Sequence, residues 1–225
     1  PSSIYSRERN HDVKGNKFSR TEHSVKSTSR GLQKLLQKLG VPKGTKTEEA
    51  FAVPEYMDRL ADWQKALYLS AFFGAEMSAP GAQSAKNLYC PKISQNKSKE
   101  VEDSGLQFME DVKDLLSDLG IETNNIEKMS APDNNSGKVT RFRLGIKNDS
   151  ENLIKFYQTV GCRYNLDKQK KAVKSIRYLK KKQRAIERRE EIAEKSVELY
   201  EEGVQPKEIK QKFDINDRLI DRSIY

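Results

Sequence analysis

The stretch Tyr68-Leu-Ser-Ala-Phe-Phe-Gly-Ala-Glu-Met-Ser78 constrains this chain more than any other. Its pattern predicts an apolar helix over about residues 60–78, with Ala71, Gly74, Ala75 and Ser78 at i, i+3, i+4 and i+7 on one face. Small side chains at that spacing let two helix backbones approach closely. Leu67, Leu69, Phe72 and Phe73 cover the other sides, so burial nearly all round is expected. Glu76 falls at the helix C-terminus, where the dipole disfavours an anion, and a cationic partner is expected for it. The bland alternative is a core helix ending in a solvated acid.

The chain has 225 residues, a net charge of +9, a pI near 9.3 and 35% hydrophobic residues. That length accommodates one sizeable core with an appendage, or two small domains. The absence of an 18-residue apolar run and of a signal-peptide pattern leads to the expectation of a soluble, cytoplasmic chain with no membrane partner. Cys90 and Cys162 lack metal-ligand spacing and read as idle thiols. The charge is concentrated: residues 163–189 carry twelve Lys or Arg against Asp167 and Glu187. A basic helix lying along a phosphate backbone is the favoured reading, with a solvated helical linker as the other.

An internal repeat appears at a shift of 121 positions. Lys17 meets Lys138, Arg20 meets Arg141, Leu32 meets Leu153, Leu35 meets Phe156, Leu36 meets Tyr157 and Gly40 meets Gly161. Each copy reads as a hairpin followed by a capped helix and a Gly. The first hairpin is expected over 4–9 and 18–25 around a loop at 10–16, and the second over 126–129 and 139–146. Alternation at Phe18, Arg20 and at Val139, Arg141, Arg143 puts basic residues on one strand face. The second copy follows the 60–78 helix, a strand at 88–94 and a helix at 101–119; the first copy has no such units ahead of it.

With these residues in view, Leu69-Ser-Ala-Phe-Phe-Gly-Ala-Glu-Met-Ser78 resembles the signature helix of LAGLIDADG homing endonucleases, including those within inteins. The resemblance implies an α+β core whose strands form a curved saddle on double-stranded DNA, and hydrolysis of DNA phosphodiesters with Mg²⁺ held by acids at paired helix ends. Glu76 matches the final acid of the motif and is both the implied metal ligand and a catalytic residue. Gly74 stands where the family has its first acid, and Met77 where it has a glycine. Gln95, in Ser94-Gln-Asn-Lys97, matches a water-positioning residue; its alternative is an ordinary turn. Lys168 matches the basic residue near the attacked phosphate, and Lys46 is its counterpart at a shift of 122. Arg20, Lys92, Asn96, Lys97, Arg141, Arg143, Lys170, Lys171 and Lys174 are implied to face DNA.

The same resemblance divides the chain into 1–59 (the trailing part of a first half), 60–170 (a complete second half), 171–186 (a basic helical linker) and 187–225. A homodimer or a separate N-terminal half would supply the second acid, and a prokaryotic or archaeal host is implied. Gly40-Val-Pro-Lys-Gly44 and Phe51-Ala-Val-Pro-Glu55 resemble the link between halves in intein endonucleases, although splicing residues are not encoded. His11 and His23 read as exposed hairpin residues. Residues 187–225 resemble a helix-turn-helix domain, in which Asn216, Arg218 and Arg222 would enter a major groove; a plain three-helix cap is the alternative. A DNA-binding protein that keeps the saddle but not cleavage competes with the nuclease reading.

Overall fold

The computed structural model describes residues 2–13, 15–84, 87–130, 139–213 and 223–224. In chain order the elements are β1 (Ser2–Val13), β2 (Asn16–Ser27), α1 (Arg30–Lys38), α2 (Asp62–Glu76), β3 (Lys92–Ser98), α3 (Glu102–Asp118), β4 (Glu127–Ser130), β5 (Val139–Gly145), α4 (Ser150–Thr159), α5 (Leu166–Glu201) and α6 (Pro206–Phe213). β3, β5 and β4 form one antiparallel sheet in that order, with Asn96 opposite Arg141 and Phe142 opposite Lys128. The α+β class therefore stands.

The core lies between this sheet and the helices. Thr140, Phe142 and Leu144 alternate inward along β5 while Arg141 and Arg143 alternate outward, the period-2 pattern of a half-buried strand. Helix α3 meets the inner face with Gly105, Phe108, Met109, Val112 and Leu116, spaced three and four apart as one helical stripe. Phe73 of α2 completes the contact from the other side, packed edge-on against Phe156 of α4 at 5.1 Å between ring centroids. Phe72 meets Phe108 in the same way at 5.4 Å. These rings are the large apolar residues that the sequence places at helical and strand spacing.

Several expectations are corrected by this architecture. The first hairpin has 12-residue strands joined at Gly15 (φ 83°), so residues expected in a 10–16 loop are paired instead, as Asn10 is with Ser19. It forms a separate two-stranded sheet in which none of the residues with described side chains is buried, so the described strands do not make one saddle. Ion pairs such as Arg9 Nε to Glu22 Oε2 at 2.8 Å decorate it in place of a core. The α2 helix is not buried all round: Lys65, Ala66, Leu69, Ser70, Phe73 and Gly74 are buried, but Ala71, Ala75 and Ser78 of the small-residue stripe are exposed. Only Gly74 of that stripe is enclosed, and its neighbours are Cys162 and Asn165, not a second helix of its own kind. Residues Ser94 to Lys97 lie within β3 and do not end a strand. Helix α5 runs unbroken across 171–186 and on through 187–201. Pro206 does open a helix, α6, whose Ile209 is buried; Asn216, Arg218 and Arg222 lie outside the described residues.

Gly105 is where helix and sheet come closest. A Cβ there would sit 2.6 Å from Lys97 Cγ and 2.9 Å from Phe142 Cε2, and a packed ring cannot retreat cheaply. The clash should outweigh the roughly 1 kcal/mol that alanine gains over glycine in a helix interior. Gly105→Ala is expected to lower the urea midpoint, corresponding to a net loss of about 1–2 kcal/mol; an unchanged or higher midpoint would show that the contact yields.

Glu102, at the start of α3, pairs with Lys128 of β4 and with Lys99 at 3.1 Å. Hydrogen bonds from these two lysines hold its carboxyl down to about 2 from an ordinary 4.5. A depressed folded-state value means stability that is present above the unfolded value and lost as the pH falls. The midpoint of denaturation should therefore decline between about pH 4.5 and 2, and this decline should be shallower in Glu102→Gln. Superposable pH profiles for the two proteins would remove Glu102 from acid sensitivity.

Candidate nucleic-acid interface

The site is organised by two helix ends. Helix α2 ends at Glu76 with its last carbonyls pointing at the loop that opens α5. Asn165 caps α5: its side chain accepts from Lys168 N at 3.1 Å, as an N-cap amide commonly does, while its Nδ2 donates to Gly74 O at 3.3 Å. Lys168 Nζ donates to Gly74 O at 2.7 Å and Ala75 O at 3.3 Å, a cation set against the negative end of the α2 dipole. Ser70 Oγ accepts from Arg163 N at 2.9 Å one turn earlier. The small residues of α2 thus serve this junction.

Glu76 has the cationic partner expected of it. Lys46 Nζ lies 3.2 Å from Glu76 Oε1, with side chains 68% and 39% exposed. A pair as open as this contributes about 0–1 kcal/mol; its consequence is where it places charge. Lys46 and Lys168, counterparts in the two repeats, both converge on the C-terminus of α2.

A groove of about 630 Å³ opens beside that point. Lys46, Glu76, Gln95, Asn96 and Arg141 supply its polar wall, and Tyr68, Phe72 and Phe108 its apolar floor. Burial pushes the Tyr68 hydroxyl up to about 12, so it remains a neutral donor in the physiological range. Gln95 Oε1 is buried without a hydrogen-bond partner among the described residues. A larger concavity of about 760 Å³ runs along the β1–β2 hairpin and includes Arg20, but no core lies behind it.

The outer face of the β3–β5–β4 sheet continues from the groove. Arg141 Nε donates to Asn96 Oδ1 at 3.1 Å, and Arg143 Nε to Ser94 Oγ at 3.4 Å with Nη1 3.4 Å from Glu127. These neighbours hold the guanidinium groups against the sheet while leaving donors facing outward. Lys92 is exposed at the start of β3. Lys170, Lys171 and Lys174 are exposed on the first turns of α5, opposite buried Ala172, Ser175 and Leu179. Lys97 is different. It is fully buried, its Nζ donates to Lys46 O at 2.9 Å and Glu49 O at 2.5 Å, and it lies 3.8 Å from the Phe51 ring centroid. Desolvation holds its ammonium below the usual lysine range. It anchors the chain leading to Lys46 and does not face a nucleic acid.

Sequence reasoning missed Asn165 and the buried course of Lys97. The first carries a readable signal, an Asn ahead of Leu-Asp at a helix start; so does the second, because strand alternation puts Lys97 on the same face as Ile93 and on the face opposite Asn96. Among the described residues no group of three or more His, Cys, Asp or Glu lies close enough to hold a metal ion, and no described helix is long and apolar enough to cross a membrane.

Comparison with known proteins aligns this chain with parts of longer proteins. No protein-family profile and no solved structure matches. The chain is 32% identical over 210 residues to a protein named tRNA-splicing ligase RtcB from Methanopyrus kandleri, covering 91% of this chain and 20% of that one. The counterpart of that name from Methanocaldococcus jannaschii is 29% identical over 238 residues, covering all of this chain and 24% of its own. A further stretch of 104 residues, 44% of this chain, is 32% identical to the DNA-directed RNA polymerase subunit Rpo1N of M. jannaschii, of which it covers 8%. The chain spans about a fifth to a quarter of the length of its ligase-named relatives. These names overturn the resemblance to LAGLIDADG homing endonucleases, together with the intein, nuclease and hydrolase assignments and the alternative of a cleavage-dead DNA-binding protein on that fold. Among the described residues no second helix pairs with Ala71, Ala75 and Ser78, which are exposed. What the chain is similar to is a stretch within proteins named for tRNA-splicing ligation.

Proposed function

We propose that this chain is a nucleic-acid-binding module of a longer protein, gripping the phosphate backbone of a duplex with the outer sheet face and the basic flank of α5. The observation that carries the reading is the outward row of Arg141 and Arg143 beside Lys92, together with exposed Lys170, Lys171 and Lys174 on a helix whose Lys168 is held at the α2 end that lines the groove. At about 1.5 Å per residue, the 36 residues of α5 reach over roughly 54 Å, which exceeds one turn of a duplex. Recurrence of related stretches in a ligase-named protein and in a polymerase subunit supports a module whose work is separate from either name.

Charge of this kind gives affinity without sequence reading, so double-stranded DNA and folded RNA are both ligands to test. The RNA ligation named for the relatives belongs to the longer protein, and this module would contribute grip to it. Mg²⁺ does not fit the described residues by themselves: Glu76 is a lone carboxylate already paired with Lys46, and Gln95 offers one amide oxygen. Participation of the ion requires a further acid from a second copy or from elsewhere in the longer chain.

Titrating the chain with a duplex DNA and with a transfer RNA at several salt concentrations tests the proposal. If about four phosphates are neutralised, affinity for the bound ligand should fall about 100-fold between roughly 50 and 200 mM salt. Each of Lys170→Ala, Lys171→Ala and Lys174→Ala should reduce the log–log salt slope by about one. Glu76→Gln should bind at least as tightly as the parent chain, since it removes an anion that would repel the phosphates and frees Lys46. Absence of binding to both ligands at low salt, or slopes unmoved by the lysine variants, would end the reading.

A further inference from the structure

The two repeat units present the same helix in opposite circumstances. In α4, Leu153, Phe156, Tyr157 and Val160 are all but fully buried, with Phe156 against Phe73 of α2. Their counterparts in α1 are Leu32, Leu35, Leu36 and Leu39, which are 43%, 54%, 39% and 42% exposed. Helix α1 is otherwise well made: Ser29 caps it by accepting from Leu32 N at 3.2 Å, and Gly40 closes it at φ 87° as Gly161 does α4 at φ 61°. A nine-residue helix with three leucines on one side, a fourth at its C-cap, and no buried residue is marginal in water by itself. The apolar side continues through Leu39 and Val41 into the groove floored by Tyr68 and Phe72.

We propose that the leucine face of α1 is an interface for an apolar helix with aromatic and small side chains, the counterpart of α2, supplied by the longer polypeptide that carries this stretch. The internal repeat identifies the occupant: α2 covers α4 through Phe73, and no described element does the same for α1. The relatives identify its source, because this stretch makes up only 20–24% of their length. The hairpin takes no part, since Ser19, Thr21 and His23 stand where Thr140, Phe142 and Leu144 face the core. The interface is therefore confined to the helix.

Hydrogen exchange of α1 amides, measured in the 225-residue chain and in the complete natural polypeptide, tests this inference. Exchange should be fast in the shorter chain and slower by about 100-fold or more in the complete polypeptide. Leu35→Glu with Leu36→Glu should restore fast exchange in the complete polypeptide. The same pair should leave the melting temperature of the shorter chain unchanged, because both leucines are exposed there. Equal, fast exchange in both proteins would show a free face. A shorter chain that is dimeric by light scattering with α1 protected would show a second copy on this face. Protection of α1 in a monomeric shorter chain would show closure from within. Each of these results overturns the proposal, and none depends on whether nucleic acid is bound.

Discussion

The rest of the structure depends on the junction between the C-terminus of α2 and the N-terminus of α5. An α-helix leaves its last carbonyls and first amides without partners, and burying such an end without replacements is costly. Here one residue serves both ends. Asn165 satisfies an α5 amide with its oxygen and an α2 carbonyl with its nitrogen, and Lys168 adds a charge where the α2 dipole is negative. Gly74 allows the approach, with Cys162 Cα and Asn165 N within about 4 Å of where its Cβ would be. Through this contact the longest basic element of the chain receives a fixed origin beside the sheet, and Glu76 a fixed place at the groove mouth.

The sheet side is held by a different device. Burying an ammonium opposes folding unless its protons find acceptors. Lys97 finds two backbone carbonyls, from Lys46 and Glu49, and an aromatic face at Phe51. The arrangement ties a segment without regular structure to β3, across the gap between the first repeat and the core. Ser104 Oγ adds to the same tie, accepting from Phe51 N at 2.9 Å and donating to Phe51 O at 2.9 Å. The position of Lys46 at Glu76 follows from a lysine that never meets solvent.

Much of this was legible in the residues. Alternation at Arg141, Phe142 and Arg143 gave the right faces of β5, because a strand with one wet side has to alternate. The helices α2 and α3 fall within a few residues of the expected 60–78 and 101–119, since apolar spacing is a local signal. Lys46, Glu76 and Gln95 line one groove, and Lys168 reaches the end of α2 from the α5 side. What failed was tertiary. The stripe Ala71, Gly74, Ala75 and Ser78 reads as a helix-pairing face in any context, and the sequence cannot say that Gly74 meets a loop while the other three meet solvent. The division at 186/187 misjudged α5, since a change in charge density does not interrupt hydrogen bonding between peptide groups. The family resemblance is overturned by the names of the relatives.

Amphipathicity specifies that a face must be covered, and not by what. Helices α1 and α4 make the point within one chain, because they share apolar spacing and glycine closure yet differ completely in burial. The difference cannot come from helix propensity, which is local, nor from the caps, which are satisfied in both. It comes from α2 and α5, which pack against α4, whereas α1 only reaches the rim of the groove beside α2 through Leu39 and Val41. Fully burying an exposed leucine side chain is worth about 1.5–3 kcal/mol, so covering four leucines that are 39–54% exposed recovers roughly half of that for each. A hydrophobic face of that size, on a helix too short to persist alone, acquires its stability only when another surface meets it.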